Sequence, residues 1–464
     1  METALLIDIG STFTKVSLID TGNEEIIAHS RANTTVKTDV NTGLRKALAE
    51  AKGWEKARYK LACSSAAGGL KIIAIGLVPE MTAEAARRAA LGAGSRVLKT
   101  YSYQLADSDI EDIKGQDADI ILLAGGTDGG NRDCIIHNAR KLAAAELNRP
   151  VVVAGNRSAV DEVSAILKEG GKEIYLTENV MPELEKLNIE PARRVIREIF
   201  LKRIIKARGL TRVREMIDDL IMPTPAAVMK AAKLLADGTA NEAGLGELML
   251  VDIGGATTDV HSAASGEPGR TGVTWRGLEE PYIKRTVEGD LGMRYSALSL
   301  YQAIGPDRFC KQLEKAGAGE ITQNDYEKII GHFHKRVDSL ARGKEELIVD
   351  KLLGRNAVRL AVARHAGVLK TINTPMGPAY IQEGKDLSQL KRIIGTGGII
   401  VNNDHPRFIL EGALYKNQEN PELLAPVEAE FMVDSAYIMA ACGLLSEIEP
   451  ETSLRIMKRY LVKK

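Results

Sequence analysis

Ten residues, VDIGGATTDV at 251–260, run a hydrophobic strand into a glycine-threonine turn with an aspartate on either side. LLIDIGSTFTK at 5–15 does nearly the same. A glycine turn after a strand lets backbone N–H groups reach phosphate oxygens, because no Cβ blocks the approach and positive φ is open. Ser11, Thr12, Thr257 and Thr258 add hydroxyl donors. Asp8, Asp252 and Asp259 can hold magnesium through waters, and that ion neutralises phosphate charge. Lys15 can place a point charge on a terminal phosphate. Either turn alone makes an ordinary hairpin. Two copies half a chain apart point to two loops that clamp a triphosphate between them. A third glycine phrase, GTGGIIVNN at 395–403, ends a strand in Gly395, Gly397 and Gly398, where a flat ring can lie against the backbone.

These loops need strands to carry them, and a chain of 464 residues exceeds what one core usually supports, so two lobes are expected. The first forty residues alternate as a three-stranded antiparallel meander, followed by a helix from about residue 41 to 52. Strand and helix then alternate through an α/β region placed at about 57–180. Residues 182–220 are charged with a helical period, and Arg193, Arg194, Arg197, Lys202 and Arg203 read as a solvated face. PTPAAVMKAAKLLADG at 223–238 marks a boundary and a helix of small residues. The meander then repeats as ELMLVDIGG, TTDVHSAAS and GVTWRG. A helical subdomain is expected over about 291–380, then a strand at LKRIIGTGG and a small-residue helix in SAYIMAACGLLSEI. The expected division is an N-terminal lobe at 1–222 and a C-terminal lobe at 223–464.

Composition removes several function classes. Lysine plus arginine equals aspartate plus glutamate at 62 each, so no basic field exists for nucleic acid or an anionic membrane. The N-terminus has neither a basic n-region nor a cleavage site, which favours a cytoplasmic address, and the most apolar window, about Leu61 to Val78, holds Ser64, Ser65, several glycines and Lys71, so it reads as buried strands. Four scattered cysteines without a CxxC pair suit buried free thiols better than zinc, redox or disulfide roles. The seven histidines include no Asp-x-His-x-x-Gly phrase of the kind that ligates cobalt, and they read as surface or packing residues. AGGTDGGNRD at 124–133 suits either an anion-binding or partner loop, with Thr127, Asp128 and Asn131 as contacts, or a plain crossover after a parallel strand.

The order IDIGSTFTK, PTPAAVMKAA, VDIGGATTDV, GTGG, SAYIMAACGLL resembles the phosphate-1, connect-1, phosphate-2, adenosine and connect-2 motifs of the actin-like ATPase superfamily. That resemblance implies an α/β, two-lobed, ribonuclease H-like fold with an additional α/β region in the N-terminal lobe. It also implies ATP and Mg2+ in the cleft. Asp8, Gly10, Ser11, Thr12 and Lys15 match phosphate-1. Asp252, Gly254, Gly255, Thr257 and Asp259 match phosphate-2, and Gly397 and Gly398 the adenosine loop. Two departures stand out: Met222 precedes Pro223-Thr224 where the heat-shock chaperones carry glutamate, and Ala256 replaces a glycine. The first leaves the positioning of an attacking water unassigned.

SSAAGGLKIIAIGLVPEMTAEAARRAALGAG, ILLAGGTDGGN, VEGDLGMRYSA and AVARHAG resemble, over the full chain, the glutamate mutase (methylaspartate mutase) accessory proteins of the GlmL family. This implies a slow ATPase with no mutase activity of its own. It would open an inactivated coenzyme B12-dependent glutamate mutase so that damaged cobalamin leaves and adenosylcobalamin enters. The partners implied are the mutase subunits, and the oligomeric state stays open, a homo-oligomer included. The alternatives are a small-molecule kinase with the same cleft and a non-catalytic nucleotide-gated scaffold.

Overall fold

A computed structural model describes residues 2–10, 12–34, 40–65, 70–207, 216–217, 221–375, 377–415 and 420–464. The chain starts with β1 (Thr3–Ile9), β2 (Phe13–Asp20) and β3 (Glu25–Asn33), an antiparallel meander as expected. After the helix Val40–Glu50 comes β4 (Tyr59–Ser64), parallel to β1. The chain then leaves this sheet. It builds β5 (Lys71–Ile75), β6 (Arg96–Tyr101), β7 (Ile120–Leu123), β8 (Val151–Val153) and β9 (Ile174–Leu176), all parallel, in the order β6-β5-β7-β8-β9. That is the doubly wound 2-1-3-4-5 arrangement. The helix Glu190–Ala207 follows, and β10 (Ile221–Pro223) returns to pair with β4.

The second lobe repeats the plan. β11 (Leu248–Ile253) and β12 (Thr258–Ala263) form its hairpin. β13 (Val273–Arg276), expected as the third meander strand, leaves to a small separate sheet. β14 (Ile283–Glu288) takes its place beside β12. Four helices span 297–365, and the last is Gly343–His365. The expected helical subdomain ends there: β15 (Val368–Thr374) and β16 (Gly377–Glu383) make a hairpin, as their alternating β-branched and polar residues favour. β17 (Arg392–Thr396) and β18 (Glu430–Asp434) run parallel to β11, and β19 (Leu461–Lys463) closes the edge antiparallel to β18.

The two large sheets therefore share one order. β3-β2-β1-β4-β10 and β14-β12-β11-β17-β18 each place an antiparallel meander beside two strands parallel to the first. This is the ribonuclease H-like unit, duplicated, and it makes the chain a two-lobed α/β protein of actin-like ATPase fold. β1 is buried at every position because both its faces are covered. Leu5, Ile7 and Ile9 meet the core under helix Val40–Glu50, while Ala4 and Leu6 face a second core shared with Leu248 and Leu250 of β11. The shared core is filled by helices Thr224–Asp237 and Met439–Leu445, which join the lobes where connect-1 and connect-2 were expected.

No helix among the described residues is long and apolar enough to cross a membrane. Cys63, Cys134 and Cys442 are buried free thiols as expected, whereas Cys310 is exposed. The basic run is only partly a solvated face. Arg194 is exposed, but Arg193 is half-buried over Gly92, whose missing side chain makes the room. The Arg203 side chain lies outside the described residues.

Candidate functional site: a two-hairpin cleft

The two glycine turns are the same hairpin. Gly10 N donates to Phe13 O at 3.0 Å, and Gly254 N donates to Thr257 O at 2.9 Å. The register then sets Asp8 opposite Lys15 in the first lobe and Asp252 opposite Asp259 in the second. Equivalent positions carry an ion pair in one lobe and two acids in the other. The turns also adjoin: a Cβ on Gly255 would stand 3.6 Å from the Thr12 hydroxyl, which is where phosphate-1 and phosphate-2 would form the two walls of one cleft. Ser11 lies outside the described residues.

Asp8 is the hub of the first wall. It is 5% exposed, receives Lys15 Nζ on Oδ2 at 2.8 Å and Thr224 Oγ1 on Oδ1 at 2.8 Å, and has the Cys63 thiol 3.5 Å away. Burial alone would lower the Lys15 pKa, but Asp8 and then Tyr437 more than offset it and hold the ammonium above the ordinary lysine range. Its Nζ lies 3.6 Å over the Tyr437 ring, a cation–π contact. Tyr437 holds a left-handed φ of 54°, an uncommon state for a bulky residue.

Asp252 and Asp259 differ in their bonding. Asp259 pairs with Arg285 on Oδ1, at 2.8 Å to Nε and 2.6 Å to Nη2, and accepts the Thr257 hydroxyl on Oδ2 at 3.0 Å. Among the described residues, no hydrogen bond or ion pair reaches the half-buried Asp252 carboxyl. Burial first, then Asp259, Asp8 and Asp434 push its pKa from 3.8 to about 7, with Lys15 pulling the other way.

The remaining expected residues divide. Gly397 is needed where it stands: its φ is 99°, and a Cβ would fall 2.3 Å from Ile253 O. Gly398 is exposed with open space beside it, so it can present a bare backbone to a ring. Gly395 lies inside β17 and packs against Leu410 and Ile400, which is a packing role. Thr258 is fully buried and its hydroxyl donates to Leu291 O at 2.8 Å, which removes it from the free donors. Three residues beyond the expected set matter here: Thr224 on Asp8, Arg285 on Asp259, and Asp434. Asp434 is fully buried, accepts Thr396 Oγ1 at 3.0 Å, and takes the backbone N–H groups of Ile438 and Met439 at the start of the connect-2 helix. In the sequence Thr224 stood inside the connect-1 phrase without a role of its own, and Arg285 and Asp434 were not singled out.

No group of three His, Cys, Asp or Glu side chains among the described residues converges on a metal position. A magnesium ion bound by one or two carboxylates, waters and phosphate oxygens does not need such a cage. The donor chemistry fits that mode, because Asp252, without a hydrogen-bond or ion-pair partner among the described residues, faces a second acid across the hairpin. The ion, when bound, neutralises phosphate charge; Asp252 would hold it.

The raised Asp252 value has a sign that melting can check. The folded chain keeps this proton to about pH 7, whereas the unfolded chain releases it near the ordinary carboxyl value of 3.8. The folded state therefore binds more protons in that window, and this group's contribution to stability falls as pH rises through it. Without nucleotide, Asp252→Asn should melt higher than the parent at pH 8 and level with it at pH 4; a pH-independent difference would count against the placement.

AGGTDGGN sits at the end of β7, beside the switch point of the parallel sheet. Several of its polar groups are used internally. Asn156 donates to Gly130 O and Asn131 O and accepts from Gly129 N, while Asn179 donates to Gly126 O and Asp128 Oδ1. This wiring is that of a closed crossover.

Comparison with known proteins places the chain. The family described as MutL protein matches residues 4–461. A curated relative, Protein MutL from Clostridium tetanomorphum, is 50% identical over 468 residues, covering 100% of both chains. The chain belongs to the MutL family. Solved structures show distant likenesses. One is component A of the (R)-2-hydroxyglutaryl-CoA dehydratase of Acidaminococcus fermentans, with 11% identity, 99% of each chain covered and a TM-score of 0.34. Another is a xylulose kinase of Lactobacillus acidophilus, with 10% identity, 100% and 93% covered and a TM-score of 0.35. The fold of this MutL family member rests on its own strand order, given above.

Proposed function

We propose that this MutL family protein is an ATP-dependent reactivating chaperone for a coenzyme B12-dependent glutamate (methylaspartate) mutase. In this reading it acts in the cytoplasm and promotes exchange of damaged cobalamin for intact adenosylcobalamin. The observation that carries the nucleotide part is the meeting of two equivalent glycine turns, Thr12 against Gly255, with Lys15 between Asp8 and Tyr437. The turn N–H groups and the Thr12 hydroxyl would bind phosphates, Lys15 would place its charge on the terminal phosphate, and Gly397–Gly398 would receive the base. The lobes, taken as 1–222 and 223–464, would close on ATP and relax after slow hydrolysis. A partner surface that spans them would feel the change. The partner part rests on the full-length resemblance to the glutamate mutase accessory proteins.

The test uses glutamate mutase inactivated with a cobalamin that lacks the adenosyl group. Adding the protein, ATP, magnesium and fresh adenosylcobalamin should restore activity, and omitting ATP should not. Equal recovery without ATP would sink the chaperone reading, and rapid phosphate transfer to a single metabolite would favour the kinase.

A further inference from the structure

One guanidinium joins the second wall of the cleft to the inserted α/β unit. Arg285, in β14, is 6% exposed. Its Nε and Nη2 hold Asp259 Oδ1. Its Nη1 donates to Ser95 O at 2.9 Å and to Leu91 O at 3.3 Å. Those carbonyls belong to the turn that ends helix Glu84–Gly92, the connection between β5 and β6 of the inserted sheet. A cation at a helix C-terminus satisfies free carbonyls and the local dipole. Here the same cation also neutralises a carboxylate of the phosphate-2 hairpin.

The turn also touches the end of β10 and the connect-1 helix. Gly94 holds a φ of 86°, and a Cβ there would fall 2.8 Å from Pro223 Cβ and 3.2 Å from Ala226 N, at the start of the connect-1 helix. Thr224, between those two residues, donates to Asp8. Residues 92–95 thus sit where an element of each cleft wall arrives. The helix leading into the turn is docked independently: Arg88 donates to Glu279 O at 2.7 Å and to Glu280 Oε1 at 3.1 Å. A local shift of the Asp259 carboxylate therefore has a short, fully hydrogen-bonded route into the insert.

Building on the nucleotide reading above, we propose that Arg285 is a positioning residue of the cleft that orients Asp259 and passes its state to the inserted unit through the turn at 92–95. Arginine suits both tasks because its planar fork serves a carboxylate and two carbonyls at once. A lysine offers one compact charge and can serve only the first.

The experiment uses the full-length protein and compares Arg285→Lys and Arg285→Gln with the parent. ATP turnover is measured together with amide hydrogen exchange of peptides covering 84–101, with and without magnesium-ATP. In the parent, nucleotide should slow exchange in the turn. Arg285→Gln should lower kcat about 100-fold while KM moves less than about threefold, the pattern of a group that acts through transition-state positioning. Arg285→Lys should recover most of that kcat, yet lose the nucleotide-dependent protection of the turn. If Arg285→Gln fails to fold, the lysine variant carries the test alone. Parent-like turnover and protection in Arg285→Lys would overturn the inference and leave the nucleotide cleft standing. Failure of the parent to bind ATP would overturn both.

Discussion

Asp8→Asn should lower ATP turnover by at least about 100-fold, the scale on which a preorganised electrostatic partner at a phosphate acts. It should also destabilise the protein. Asp8 and Lys15 form a buried pair, with side chains 6% and 15% exposed. Removing one member strands the other charge and costs about 3 to 5 kcal/mol. Lys15→Met should do comparable harm for the mirror reason, because among the described residues the Asp8 carboxylate would keep only the Thr224 hydroxyl and the Cys63 thiol. The double variant separates the two effects. With neither charge present, stability should return close to that of the parent, since a buried pair replaced as a unit is often neutral. Turnover should stay as low as in the worse single variant. Denaturation midpoints and steady-state ATPase rates on the four proteins form one double-mutant cycle. A double variant as unstable as the sum of the singles would mean that the pair is not the isolated buried couple described.

The parts legible in the sequence are those fixed by local chemistry. Both hairpins could be read because a glycine turn between alternating runs leaves little choice of register, and register sets Asp8 beside Lys15 and Asp252 beside Asp259. What a side chain does after the turn is decided by alternation and by distant partners. Thr258 has the right chemistry at the right distance from the turn, but β12 buries it under Leu291. Gly395 belongs to the adenosine phrase and yet packs inside β17. Arg285 was out of reach for a different reason. Its strand, IKRTVE, has little apolar alternation, so GVTWRG read as the better third strand, and its carbonyl partner Leu91 lies 194 residues away. Asp434 carried a signal that could have been used: like Asp8 and Asp252 it is an aspartate closing a hydrophobic strand. β10 pairs with β4 and β18 with β17, which brings Thr224 to Asp8 and Asp434 to Thr396; connect-1 and connect-2 would then lie at the floor of the cleft.

The floor of that cleft supports the second large expectation. Gly443→Ala should destabilise the protein by about 3 kcal/mol, at the upper end of overpacking costs. The connect-2 helix Met439–Leu445 crosses the connect-1 helix Thr224–Asp237 at this residue, and a Cβ would fall 1.9 Å from Ala227 O and 2.5 Å from Ala227 C. The obstacle is helical backbone, which cannot rotate aside as a flexible side chain would. Relief requires the helices to separate, and they form the core shared by both lobes, with Cys442, Leu444 and Leu445 against Ala227, Ala231 and Leu250. The substitution therefore acts on the joint about which the lobes would close, and ATP turnover should fall with stability. Gly331 provides the internal control. It lies in helix Gln323–Lys335 with nothing within 4 Å of its missing Cβ. Gly331→Ala should stabilise by about 0.5 to 1 kcal/mol through helix propensity alone. Melting of the two variants in parallel should move in opposite directions. If Gly443→Ala melts with the parent, the close crossing of the connecting helices is not what holds the lobes together.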